Sequence, residues 1–117
     1  MARRDLSGAV DFGVLERMTA GDAEVGEEVL GLFVEQSRMW AALLDPNGEG
    51  WRDAAHTLRG AAVGIGAGAL AAAGAAAEAA EPPAHHSALE RVRLELDRAL
   101  ADVAAYRHEL MLRGLRG

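Results

Sequence analysis

Residues 60–80 read GAAVGIGAGALAAAGAAAEAA, and no other stretch restricts the fold as strongly. Alanine is the best helix former, and its side chain is so small that a second helix can pack close against it. A strand reading has little support anywhere in the chain, which holds eight Val, one Ile and two Thr, so that alanine and leucine carry the apolar content. A membrane span is also disfavoured. The uncharged part, Ala61 to Ala77, falls short of the ~18 apolar residues a spanning helix needs, and only Val63, Ile65 and Leu70 in it are strongly hydrophobic. Gly60, Gly64 and Gly68 do repeat at the four-residue interval of membrane helix-packing motifs, yet the run reads as helical segments of a water-facing domain.

The remaining segments read as helices too. With 117 residues the chain is expected to form one domain over its full length, 1–117, around a single core. Turn clusters at Pro46-Asn47-Gly48-Glu49-Gly50 and at Pro82-Pro83-Ala84-His85-His86-Ser87 divide it. A short helix is expected near Phe12 to Met18, followed by four larger ones at about 22–45, 51–65, 67–81 and 87–113. Asp22 suits the N-cap of the first of these, whose apolar stripe is read as Val25, Val29, Leu32, Phe33, Trp40 and Leu43. The glycines around Ile65 suit a C-terminal stop. Ser87-Ala88-Leu89-Glu90 matches a capping box, and Leu89, Val92, Leu96, Ala99, Val103, Tyr106 and Leu110 follow it as a bundle seam. Four such helices joined by short connections pack most simply as an all-α, antiparallel, up-down-up-down four-helix bundle with a short N-terminal helix. One bundle can bury its own seams, so a monomer is expected.

The formal net charge of −6 disfavours a nucleic-acid partner, because phosphates would be repelled by the average surface. There is no cysteine, hence no disulfide framework and no thiolate metal site, which fits a cytoplasmic setting. The opening MARRDLSGAV has two arginines but no apolar segment of secretory length after them.

His56 lies just before the alanine run. At 100° per residue, Trp51, Ala54, Ala55, Leu58, Ala61, Ala62 and Ile65 gather on one side of their helix, which becomes its core face. His56 points roughly 160° away from the centre of that face by the same geometry, together with Arg52, Arg59, Gly60 and Val63. A glycine in mid-helix costs up to ~1 kcal/mol relative to alanine. Gly60, one turn beyond the histidine, leaves open space beside the imidazole, and Gly64 extends a flat surface further on. Two readings follow from geometry alone: the glycines give a second molecule access to His56, or His56 is an ordinary exposed histidine and the glycines end a helix.

His56-Thr57-Leu58-Arg59-Gly60, followed by Ile65-Gly66-Ala67 and Leu70, resembles the signature of the histidine-containing phosphotransfer (HPt) domain family. That signature is a histidine with leucine at the second following position, a basic residue at the third and glycine at the fourth, then a hydrophobic-Gly-Ala turn. His-x-Leu by itself is common; the full string carries the resemblance, which extends over most of the chain. The resemblance implies a four-helix bundle with the histidine exposed midway along one helix. It also implies a phosphorelay role, in which His56 takes a phosphoryl group from an aspartate of a receiver domain or from a hybrid histidine kinase and passes it to another receiver. Imidazole suits this task as a nucleophile active near neutral pH. By the same resemblance Arg59 supports charge at the site, and Arg52, Gly60, Val63 and Gly64 meet the partner. No cofactor is expected in this chain, since the receiver would supply the acidic pocket and its Mg²⁺. Two departures stand out. Arg59 occupies a position usually held by lysine, which keeps the charge but alters hydrogen-bond geometry, and Ala61 and Ala62 stand where serine is common.

Other features weigh less. Gly66-Ala67-Gly68-Ala69-Leu70-Ala71 formally fits a dinucleotide-binding pattern, but no strand precedes it. His85 and His86 sit in a proline-rich stretch without a spaced metal-binding partner. Gln36, in the middle of an apolar stripe, reads as a buried amide bonded to a neighbouring helix or as a support for the His56 region. Trp40 and Trp51 read as core plugs. With no Walker motif there is no basis for kinase or ATPase activity. The competing function is a helical adaptor that binds a receiver or kinase without carrying phosphate.

Overall fold

The computed structural model describes residues 8–116, so Arg3 and Arg4 of the opening segment lie outside the described residues. Five α-helices make up the described chain, and no strand occurs among those residues. They are α1 (Phe12–Met18), α2 (Ala23–Ala41), α3 (Trp51–Ile65), α4 (Gly68–Ala79) and α5 (His85–Arg116). Helix α3 packs against α4, α4 against α5, and α2 against both α3 and α5, while α1 lies on α3. Leu30, Leu58, Leu70, Val92 and Val103 belong to one buried cluster, each such side chain contributing about 1.5–3 kcal/mol through burial. Among the described residues no helix is long and apolar enough to cross a membrane.

Local chemistry accounts for where the helices start and stop. Asp22 caps α2 by accepting hydrogen bonds from the Glu24 and Val25 amides at 3.0 and 3.2 Å, satisfying donors that the first helical turn leaves open. Gly66 ends α3 at φ 85°, a conformation that costs a side-chain-bearing residue about 1–2 kcal/mol. The turn is completed by the Ala67 amide donating to Ala62 O at 2.8 Å and the Gly66 amide to Val63 O at 3.3 Å, the paired bonds of a Schellman stop. A Cβ at Gly66 would also lie 2.3 Å from Asp11 O. The N-terminal segment is therefore seated directly on the α3–α4 turn, where the Asp11 amide donates to Gly66 O at 2.9 Å. The Val10 amide donates to the buried Asp102 carboxylate at 3.2 Å. Phe12 stacks on Tyr106 with ring centroids 4.0 Å apart, and the Tyr106 hydroxyl donates to Glu16 at 2.7 Å.

Helix α4 fits closely into this frame. A Cβ at Gly74 would lie 3.1 Å from Ala55 O and 3.1 Å from Arg59 Cβ. A side chain there would have to push these atoms back by a few tenths of an ångström, so glycine favours the close approach of α4 to α3. On α5 the expected seam is buried from Leu89 to Tyr106, with Leu110 half-buried at its end. Farther along, Arg107 donates to Glu27 of α2 at 2.9 Å from Nε and 2.6 Å from Nη2. The hydrogen bond to Glu27 raises the Arg107 pKa above its ordinary value, against the opposing effect of burial.

Several expectations need correction. The buried line of α2 runs through Gly26, Leu30, Phe33 and Ser37, whereas Val25, Leu32 and Leu43 are exposed and Val29 and Trp40 only half-buried. Two of the four buried positions are not hydrophobic, so following the hydrophobic residues rotated the helix away from its true contact. A Cβ on Gly26 would stand 3.7 Å from Leu15 of α1, which shows that side to be the covered one. Gln36 accordingly faces solvent and is no buried amide. The capping box at Ser87 is absent: Pro82–Ala84 form a 3₁₀ turn, with the Ala84 amide donating to Glu81 O at 2.8 Å, and α5 continues from it at His85. Ser87 instead donates to Ala84 O at 3.2 Å, and Glu90 pairs with His86 at 3.0 Å. Both histidines thus belong to the first turn of α5 rather than to a loop. Helices α2 and α4 are shorter than the expected 22–45 and 67–81, and α5 is longer than 87–113.

Candidate functional site

Helix α3 buries Trp51, Ala54, Ala55, Leu58, Ala62 and Ile65. With its core face so occupied, His56 must stand outward, and its side chain is 65% exposed. Around it, Val63 is 64% exposed. A Cβ built on Gly60 or Gly64 would meet nothing within 4 Å. The surface beside the imidazole is open along α3 at both glycines.

The ring itself is held. His56 Nδ1 lies 2.8 Å from Glu78 Oε1, and Arg59 Nε lies 2.8 Å from Glu78 Oε2. Arg59 Nη2 is also 3.1 Å from His56 Nδ1. One nitrogen cannot both donate to a carboxylate and accept from a guanidinium, so the tautomer must favour one neighbour. The carboxylate is nearer, and placing its oxygen against a bare nitrogen lone pair would be repulsive. Arg59 meanwhile has its own partner in Glu78 Oε2. The proton therefore belongs on Nδ1, donated to Glu78, which leaves the Nε2 lone pair facing solvent. Orientation of an imidazole by a carboxylate at its other nitrogen is the arrangement that prepares a histidine for chemistry at the free one.

Glu78 reaches His56 because the α3–α4 contact at Gly74 brings α4 so near. Its own placement is reinforced from behind. Arg52 turns its guanidinium to the Glu78 backbone carbonyl and lies 4.5 Å over the Trp51 ring. His85 packs its ring on Trp51 at 4.6 Å and donates from Nε2 to Ala80 O at 2.9 Å. Both cationic or polar side chains thereby satisfy carbonyls at the C-terminal end of α4.

Of the residues singled out in the sequence, His56, Arg59, Gly60, Val63 and Gly64 line one outer stretch of α3, while the Arg52 guanidinium is directed to α4. Glu78 escaped the sequence reading. A signal was available: it is the one charged residue between Arg59 and Glu81. No group of three metal-ligating side chains occurs among the described residues.

The chain matches no family model and no curated protein. Among solved structures it is similar to the crystal structure of the histidine phosphotransferase ShpA from Caulobacter crescentus. The two share 51% identity and a TM-score of 0.82, over 92% of this chain and 99% of that one. The chain belongs to the histidine phosphotransferase family.

Proposed function

We propose that this protein is a phosphorelay carrier that takes a phosphoryl group onto His56 Nε2 from a receiver-domain aspartate or a hybrid histidine kinase and delivers it to another receiver. The observation that carries this reading is the exposed His56 with Nδ1 bound to Glu78 at 2.8 Å, which leaves Nε2 as the one open nucleophile of the ring. In the incoming step the Nε2 lone pair attacks phosphorus, the bond to the aspartyl oxygen breaks, and the aspartate leaves as a carboxylate. Arg59 offsets phosphate charge, and Glu78 acts as a positioning residue.

Gly60, Val63 and Gly64 form the docking ledge for the partner. Arg52 contributes mainly by holding the end of α4, since its guanidinium is already engaged there. Mg²⁺ belongs to the partner receiver, and the chain itself uses no cofactor. One domain, monomeric and cytoplasmic, is sufficient for this role. Its helices α2 to α5 form an antiparallel up-down-up-down bundle, a reading supported by the contacts of α2 with both α3 and α5.

The test is phosphoryl transfer from phosphorylated receiver domains to the wild-type chain and to His56→Gln. Transfer to wild type, no label on the variant and equal melting temperatures are expected, because an exposed side chain contributes little to packing. Label persisting on the variant, at His85, His86 or His108, would overturn the assignment of His56. Absence of transfer from every receiver would favour the adaptor function.

A further inference from the structure

The contact between His56 and Glu78 has a consequence for the phosphorylated protein that its role in orienting the ring does not cover. We infer that Glu78 keeps the proton on Nδ1 after Nε2 is phosphorylated, so that the carrier holds its phosphoryl group on an imidazolium and releases it readily. This rests on the reading of His56 as the phosphorylated residue.

Bond and charge accounting supports it. When neutral His56, protonated on Nδ1, attacks through Nε2, the new N–P bond takes the Nε2 lone pair and the ring becomes cationic. Nothing has to leave: the proton already sits 2.8 Å from Glu78 Oε1, and the new positive ring faces a carboxylate. In the outgoing step an aspartate oxygen of the next receiver forms a bond to phosphorus. The N–P electron pair returns to Nε2, and the ring departs as the same neutral tautomer that began the cycle. If Nδ1 lost its proton between the two steps, the departing group would be an imidazolate, a far poorer leaving group.

Glu78 suits this task because it is only 22% exposed, and Arg59 Nε, 2.8 Å from its second oxygen, holds the carboxylate turned toward the ring. The other charged groups nearby do not reverse the effect. Asp53, one turn earlier on α3, is exposed, and the Arg52 guanidinium is taken up by the Glu78 carbonyl. Arg59 Nη2, 3.1 Å from Nδ1, favours an unprotonated nitrogen, but its charge is offset by Glu78 and is drawn outward once a phosphoryl group arrives.

The inference is tested on the full chain, phosphorylated with phosphoramidate as a small-molecule donor, by following loss of the phosphoryl group from about pH 6 to 9, either side of the ordinary imidazole range. In wild type the rate should change little across that range. In Glu78→Gln, whose amide can still orient the ring but carries no charge, the rate should fall as pH rises, reaching about one-tenth of wild type at the upper end, as expected for one charge-assisted hydrogen bond lost from the leaving ring. Nitrogen-15 NMR of phosphorylated wild type supplies a second readout that does not depend on the variant, and Nδ1 should be protonated at the upper pH. Identical half-lives and pH profiles for the two proteins, or an unprotonated Nδ1 in wild type, would overturn the inference while leaving His56 as the carrier. Label found on another histidine would instead remove the carrier assignment itself.

Discussion

Gly60 and Gly74 stand on either side of Arg59, one following it in α3 and the other facing it from α4, and they do opposite things. A Cβ at Gly60 would enter open space, whereas a Cβ at Gly74 would press on Ala55 O and Arg59 Cβ, each at 3.1 Å. The outer face of α3 is left open beside His56, and the inner seam is emptied so that α4 comes close. Composition alone does not distinguish the two, because each is a glycine inside a helix with alanine next to it. What separates them is the side of α3 they serve, which the outward His56 reveals for one and the position of Glu78 reveals for the other.

The sharpest way to break this contrast is Gly74→Leu. Overpacking of a tight seam costs about 1–3 kcal/mol, and here backbone Ala55 O is among the atoms that must yield. Thermal or denaturant melts should show the loss, and phosphoryl acceptance should fall with it, since Glu78 moves with α4. A Gly74→Leu variant that melts like wild type would show that α4 is not held by this approach. Next in size is Gly60→Gln, which should stay folded but obstruct the partner. A transfer rate reduced about tenfold, the equivalent of about 1.4 kcal/mol of docking, is the expected reading from one phosphorylated receiver.

Arg59→Ala comes third. Arg59 is 40% exposed, so its electrostatic contribution should stay within about 1 kcal/mol, and the slowing of transfer should shrink at high salt. Transfer unchanged at both salt concentrations would remove Arg59 from the site. The smallest effect is Gly60→Ala, which should stabilise the fold by up to ~1 kcal/mol through helix propensity while leaving transfer nearly intact. Together, the two Gly60 variants separate the cost of the glycine to the helix from its use to the partner.

The parts legible in the sequence were those written in local chemistry. Asp22 caps α2, Gly66 stops α3, and the outward direction of His56 follows from the six buried residues on the opposite side of its helix. The α5 seam was legible because large side chains recur along it. What stayed hidden was not marked by hydrophobicity or by the capping preference of a single residue. The contact line of α2 passes through Gly26 and Ser37, which hydrophobicity does not mark. The start of α5 is governed by a 3₁₀ turn at Pro82–Ala84 that pre-empts the local preference of Ser87. Glu78 is 22 positions from His56, and only the close approach of α4 makes the two neighbours. The site was thus half readable: the outward direction of His56 could be read from its own helix, and the carboxylate that meets its ring could not.

The seating of the N-terminal segment on the α3–α4 turn has a kinetic corollary. The amides of Val10 and Asp11 precede the first helix, yet they donate to Asp102 and Gly66. Amides outside regular helices ordinarily exchange with deuterium quickly. These two can do so only when the segment lifts away, so their exchange rates would time that lifting separately from the opening of the rest of the molecule. The segment thereby serves as a clock for a local opening next to the helix that bears His56.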